Sequence, residues 1–185
     1  MKLHLYLALA AAVALAASCK KDDPEAGLPP ATQAGKNTGG CLINGERFVA
    51  TGWGGSLLSN PTPPLFGGFS FDSIYTVDLN GQLNGRNTTV SLFFRSQKVG
   101  TYLLNKKTGY YPQTSARYAL NHAVLYFDNA AELYGTDVQH TGKVVLAFAN
   151  VQTGISAGTF EFTAASTFDP SKTITVTSGR FDRQQ

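Results

Sequence analysis

Three textures follow one another along the chain. Residues 5–15 form an unbroken apolar run, residues 22–40 are polar with almost nothing large and apolar, and from Cys41 onward apolar and polar positions alternate in short runs. The alternation has period two, the spacing that sends successive side chains to opposite faces of a strand. Tyr75, Val77 and Leu79 alternate with Thr76 and Asp78; Val90, Leu92 and Phe94 recur within residues 89–95; Phe160/Phe162 and Ile174/Val176 keep the same step. Residues 41–43 and 46–50 flank Asn44-Gly45. That pair tolerates the positive φ angles of a type I′ turn and so predicts a hairpin. Further strands are expected at 100–104, 117–120, 124–127 and 143–150, and residues 129–133 alone suit a short helix. No long 3.6-residue periodicity exists, which excludes helical bundles and doubly wound sheets, and no repeat is regular enough for a propeller. The expected fold is all-β: a single antiparallel β-sandwich or open β-barrel spanning residues 41–185.

Composition agrees. A chain of 185 residues, part of it outside the fold, suits one core. Charged residues make up 15%, below the usual quarter. The 19 Gly, 12 Phe and 8 Tyr point to an exported β-rich protein rather than a disordered one. The net charge of +3 is spread among interspersed acids and bases. Nowhere do lysines and arginines gather around aromatics, so nucleic acid is excluded as a partner.

The first residues read as a signal peptide, 1–18: Lys2 at the start, the apolar run, then Ala16-Ala17-Ser18. The run is shorter than the roughly 20 residues a membrane-spanning helix needs. Ala16-Ala17-Ser18-Cys19 resembles the lipobox of bacterial lipoproteins, with Ala16 where that pattern usually has Leu. The resemblance implies cleavage before Cys19, a diacylglyceryl thioether on its sulfur and an acyl group such as palmitate on its amine. Several acyl chains anchor stably, at about 0.8 kcal/mol per buried methylene. Lys21-Asp22-Asp23 resembles the surface-export signal of Bacteroidota lipoproteins. It implies an outer-membrane, lipid-anchored protein on the cell surface, the alternative being a periplasm-facing one. Residues 19–40, with Pro24, Pro29, Pro30, Gly35, Gly39 and Gly40, then read as the lipidated cysteine and a flexible tether on which the domain stands off from the headgroups. With Cys19 acylated, Cys41 has no partner in the chain and is expected to be a buried, inert thiol.

Leu28-Pro29-Pro30-Ala31-Thr32-Gln33, the stretch Asn37-Thr38-Gly39-Gly40-Cys41-Leu42-Ile43-Asn44-Gly45, Gly158-Thr159-Phe160-Glu161-Phe162 and Ser178-Gly179-Arg180-Phe181-Asp182 together resemble a family of Bacteroidota lipoproteins known only as a domain of unknown function. The resemblance spans roughly residues 28–182, departs at Gly40, where that family often carries Phe, and implies one all-β domain. It implies nothing about chemistry.

Catalytic signatures are absent. Outside the leader the histidines are His122 and His140, without a Gly-x-Ser-x-Gly elbow or zinc-ligand spacing. The acids, among them Asp72, Asp78, Asp128, Glu132, Asp137, Glu161, Asp169 and Asp182, are scattered. Residues 78–85 lack the spaced acids and closing Glu of a calcium loop. No catalytic residue, metal ligand or cofactor is therefore assigned. The suggestive segment is 51–68, rich in Gly and Pro and carrying the lone tryptophan, Trp53. Structureless stretches of that length are often functional. Trp53 and Phe66, with Tyr110 and Tyr111 from another loop, are the candidate ligand-binding residues, forming an apolar or sugar-stacking surface. The alternative is that the segment folds over one end of the sandwich and buries Trp53. The expected function is a membrane-anchored, non-enzymatic binding or interaction domain with a glycan or protein partner. The alternatives are a hydrolase acting on glycans or peptides, and a structural envelope lipoprotein with no small ligand.

Overall fold

The computed structural model describes residues 23–55, 60–128 and 130–185. The expected signal peptide, Cys19 and Lys21-Asp22 lie outside the described residues. The chain is all-β. It forms strands β1 (Thr38–Ile43), β2 (Glu46–Val49), β3 (Leu65–Ser70), β4 (Ile74–Leu83), β5 (Arg86–Phe94), β6 (Gly100–Leu104), β7 (His122–Phe127), β8 (Glu132–Gly135), β9 (Gly142–Asn150), β10 (Ile155–Ser166) and β11 (Thr173–Gln184). All pair antiparallel in one sheet, in the order β2-β1-β11-β10-β8-β7-β5-β4-β3. Strand β10 is a fork: residues 155–162 pair with β9, which carries β6, while Ala165 and Ser166 pair with β8.

The sheet curls into a half-barrel whose concave side is the core. Tyr75, Val77, Leu79, Val90, Leu92 and Phe94 all point into it, as their alternation predicts. They meet Phe160, Phe162, Ile174, Val176 and Phe181 from the other half. Cys41 is fully buried there, and burial pushes its thiol well above the usual range. A thiol that does not ionise is inert at neutral pH. Two contacts draw the sheet's ends together. A β-bridge joins Ala50 to Gly81. The Gln185 side chain acts as an extra peptide on the edge of β3, accepting from the Phe69 N–H at 2.8 Å and donating to its carbonyl at 3.2 Å.

The two tight hairpins follow from Asn-Gly pairs. Asn44 and Gly45 both take positive φ, as do Asn84 and Gly85. This doubly left-handed conformation matches the twist of paired strands.

Four expectations change. Residues 117–120 are not a strand, because they belong to a long loop that leaves the sheet after β6. Of the helix expected at 129–133, Asn129 lies outside the described residues and the rest is not helical; Glu132 already pairs with Phe127 as the start of β8. Residues 65–68, read as the end of the loop segment 51–68, belong with Phe69 and Ser70 to β3 on the edge of β4. The segment read as a flexible tether reaching Gly40 is instead strapped to the domain from Glu25 onward, and its last residues, from Thr38, are already β1. Leu28 is buried against Gly40, Glu25 bonds Ser178 at 2.7 Å and pairs with Arg180, and Arg47 holds the Ala26 carbonyl. Further along, Thr32 and the N–H groups of Ala34 and Gly35 all donate to the buried Asp182 carboxylate, at 2.5, 3.1 and 2.7 Å. Low apolar content is misleading here, because the strap is fastened by polar bonds to β11 rather than by a core of its own.

Candidate functional site

The convex face of β3, β4, β5 and β7 carries the residues that alternate with the core set. Register aligns them in two rows across the sheet. Phe66, Asp78, Ser91 and Val124 form one row, and Asn80, Thr89 and Tyr126 form the next. Two loops partly roof this face. Loop 105–121 covers the end nearest the β3–β4 turn, where Ile74, Phe93 and Ala119 make a second, small core. Arg95 staples it by donating to the carbonyls of Ala116 and Ala119 at 2.8 and 3.0 Å. On the opposite flank, Trp53 is bridged to Thr62. Between the two roofs the sheet is left open as a groove.

The groove consists of two adjoining hollows of about 410 Å³ and 250 Å³ that share Phe66, Asp78 and Tyr126. Tyr111, Pro112 and Gln113 wall the first, and Trp53, Thr62 and Pro63 the second. Its size is that of a small-ligand site. Three of the four sequence-predicted residues therefore converge: Trp53, half-buried, Phe66, 60% exposed, and Tyr111, 38% exposed. Tyr110 does not join them. Its ring lies so close on Gly135 that a Cβ there would collide with it, and it packs beside His122. Tyr110 seats the loop, and Tyr111, next in sequence, faces the groove.

His122 fixes that arrangement. It is buried and stacked on Phe93 at 5.0 Å, its Nδ1 bonds the Leu120 carbonyl at 2.7 Å, and its Nε2 accepts the Tyr111 N–H at 3.2 Å. This requires the neutral ring with the proton on Nδ1. Burial, opposed by the Leu120 bond, lowers its pKa. A buried imidazole without a counter-charge stays neutral. His122 is thus a structural pin.

The floor is polar. Thr89 donates to Asn80 Oδ1 at 2.9 Å, and Asn80 Nδ2 donates to the Pro63 carbonyl at 2.9 Å. This chain ties β5 and β4 to the Trp53 segment. Asp78 differs. Ser91 donates to one of its oxygens at 2.5 Å, and no other hydrogen bond reaches its carboxyl among the described residues. Burial pushes its pKa above the ordinary value, the Ser91 bond only partly opposing it. Sequence reasoning does not single out Asp78 or Tyr126, because a polar residue opposite a buried triplet reads as solvent-facing. Only the roofing loops turn that face into a site.

Other hollows have less chemistry. One of about 170 Å³ beside Glu25 is lined by paired charges, including Lys143–Glu161 at 2.9 Å. Another, of about 360 Å³, lies over a threonine-rich stretch of β9–β11 near Leu103, and its two charged side chains are that same pair. Hydrolysis by paired carboxylates needs a second acid. Among the described residues, Asp78 is the sole carboxyl lining the groove. No group of three or more metal-binding side chains occurs among the described residues. Comparisons with protein-family models, curated proteins and solved structures found no match to this chain.

Proposed function

We propose that this chain is an exported, lipid-anchored binding protein of the Bacteroidota lipoprotein kind, and that the groove across β3, β4, β5 and β7 holds its ligand. The observation that carries the reading is the convergence of Trp53, Phe66, Tyr111 and Tyr126, from four separate parts of the chain, around one partly buried acid. Clustered rings left open to solvent mark surfaces that something else covers. The anchor rests on the lipobox-like run ending at Cys19, and the outer-membrane surface on Lys21-Asp22-Asp23.

The full chain, purified in a nonionic detergent, is to be screened on an array of glycans and peptides. Trp53→Ala and Phe66→Ala, each removing one wall of the groove, are expected to weaken retention by about tenfold, since a stacked ring contributes roughly 1 kcal/mol or more. Melting temperature should hardly change for Phe66→Ala, because that ring is mostly exposed. Unaltered retention in both variants would move the site elsewhere. The anchor has its own test: Cys19→Ser should leave the membrane fraction, and retention of that variant after a carbonate wash would overturn it.

A further inference from the structure

The groove's chemistry narrows its ligand. Asp78 is the only charged side chain along its walls, and among the described residues no lysine, arginine or histidine lines it. The remaining titratable groups of the lining are the phenols of Tyr111 on the loop and Tyr126 on β7. One carboxylate oxygen is occupied by Ser91, leaving the other for a visitor. Of the neutral polar side chains, Thr89 is committed to Asn80, and Asn80 to Thr89 and the Pro63 carbonyl. A saccharide, being neutral, would leave the lone carboxylate without a counter-charge. An inorganic cation would find one carboxylate where calcium wants six or more oxygens. Four aromatic rings line the two hollows that share the acid, and ring faces carry negative electrostatic potential.

On the reading that this groove is the binding site, we propose that it takes an organic cation, the ammonium group of a larger ligand, set against Asp78 with Trp53, Phe66, Tyr111 and Tyr126 around it. Cation–π attraction and the carboxylate then act together in a partly dehydrated space, where both are stronger than in water. Burial without a counter-ion disfavours the Asp78 charge, and a bound ammonium supplies the missing partner.

Trp53 is the chain's single tryptophan, so its fluorescence reports on the groove directly. The full chain in nonionic detergent is titrated with choline, with choline's uncharged analogue in which carbon replaces nitrogen, and with a neutral cello-oligosaccharide. Choline is expected to bind about tenfold more tightly than its uncharged analogue. Asp78→Asn, isosteric and uncharged, should erase that preference, while Ser91→Ala, which keeps the carboxyl, should retain it. Equal binding of the two analogues, or a preference that survives Asp78→Asn, overturns the cation. Oligosaccharide binding that Phe66→Ala abolishes, without a choline response, overturns the cation and keeps the groove as the site. No Phe66-dependent response to any probe overturns both.

Discussion

Asp78 sits where its charge is disfavoured. Its folded pKa lies above the ordinary 3.8, and an acid shifted that way binds protons more tightly when folded. It therefore costs stability, a cost that grows as pH rises through the folded value and vanishes below about pH 4. Asp78→Asn should raise the melting temperature at pH 7 and leave it unchanged at pH 3, as a calorimetric pH series would record. A carboxyl kept at such a position at the expense of stability is a mark of function. His122 has the opposite sense. Its folded pKa lies below the ordinary 6.5. The neutral ring's contribution is therefore complete above that pH and is lost as pH falls through the folded value. Protonated Nε2 can no longer accept the Tyr111 N–H. Amide exchange at Tyr111, corrected for its intrinsic pH dependence, should gain relative to the core as pH falls from neutral, and His122→Ala should exchange quickly throughout.

At the level of elements, the loop 105–121 depends on a glycine in β8. Gly135→Val would drive a side chain into the Tyr110 ring, lift the loop and displace Tyr111 from the groove wall. The variant should lose ligand binding while the core strands keep their exchange protection. Strap 25–37 makes a second case. Burial alone would raise the Asp182 pKa, yet bonds from Thr32, Ala34 and Gly35 outweigh it and hold the carboxyl below the ordinary range. Its contribution is present at neutral pH and lost as pH falls below about 4. Asp182→Ala strands three donors and should destabilise by roughly 2–4 kcal/mol, with proteolysis appearing first between residues 30 and 37. Legibility in the sequence differs between such elements for physical reasons. Strands β4, β5, β10 and β11 are visible because alternation is written into their side chains. Strand β3 is hidden: Gly67 and Gly68 carry no side chain to alternate, and Gly67 is required by a close approach, its Cβ position lying 2.6 Å from the Thr76 carbonyl oxygen. Trp53, Phe66 and Tyr111 are legible as loop aromatics, whereas their meeting at Asp78 depends on register across four strands, which no local pattern encodes.

Across the whole molecule, the curled sheet is held at its rim by few bonds. Gln185 supplies two of them to Phe69. Gln185→Ala should lower stability by about 1–2 kcal/mol and raise amide exchange along β3, the edge nearest the groove. The core, rich in Phe and shared by both halves of the sheet, should keep the unfolding two-state.

The polar fastening of residues 25–37 sets the length of the leash. If fatty acids occupy Cys19, the six peptide steps from there to Glu25, the first residue bonded to the domain, leave little slack. Fully extended, they span at most about 22 Å. A body moored that closely cannot sample the solution above the bilayer. Such a body would patrol a thin layer over the lipid surface, and its cleft would meet what is attached to that surface, or arrives along it, far more often than what drifts freely in the medium.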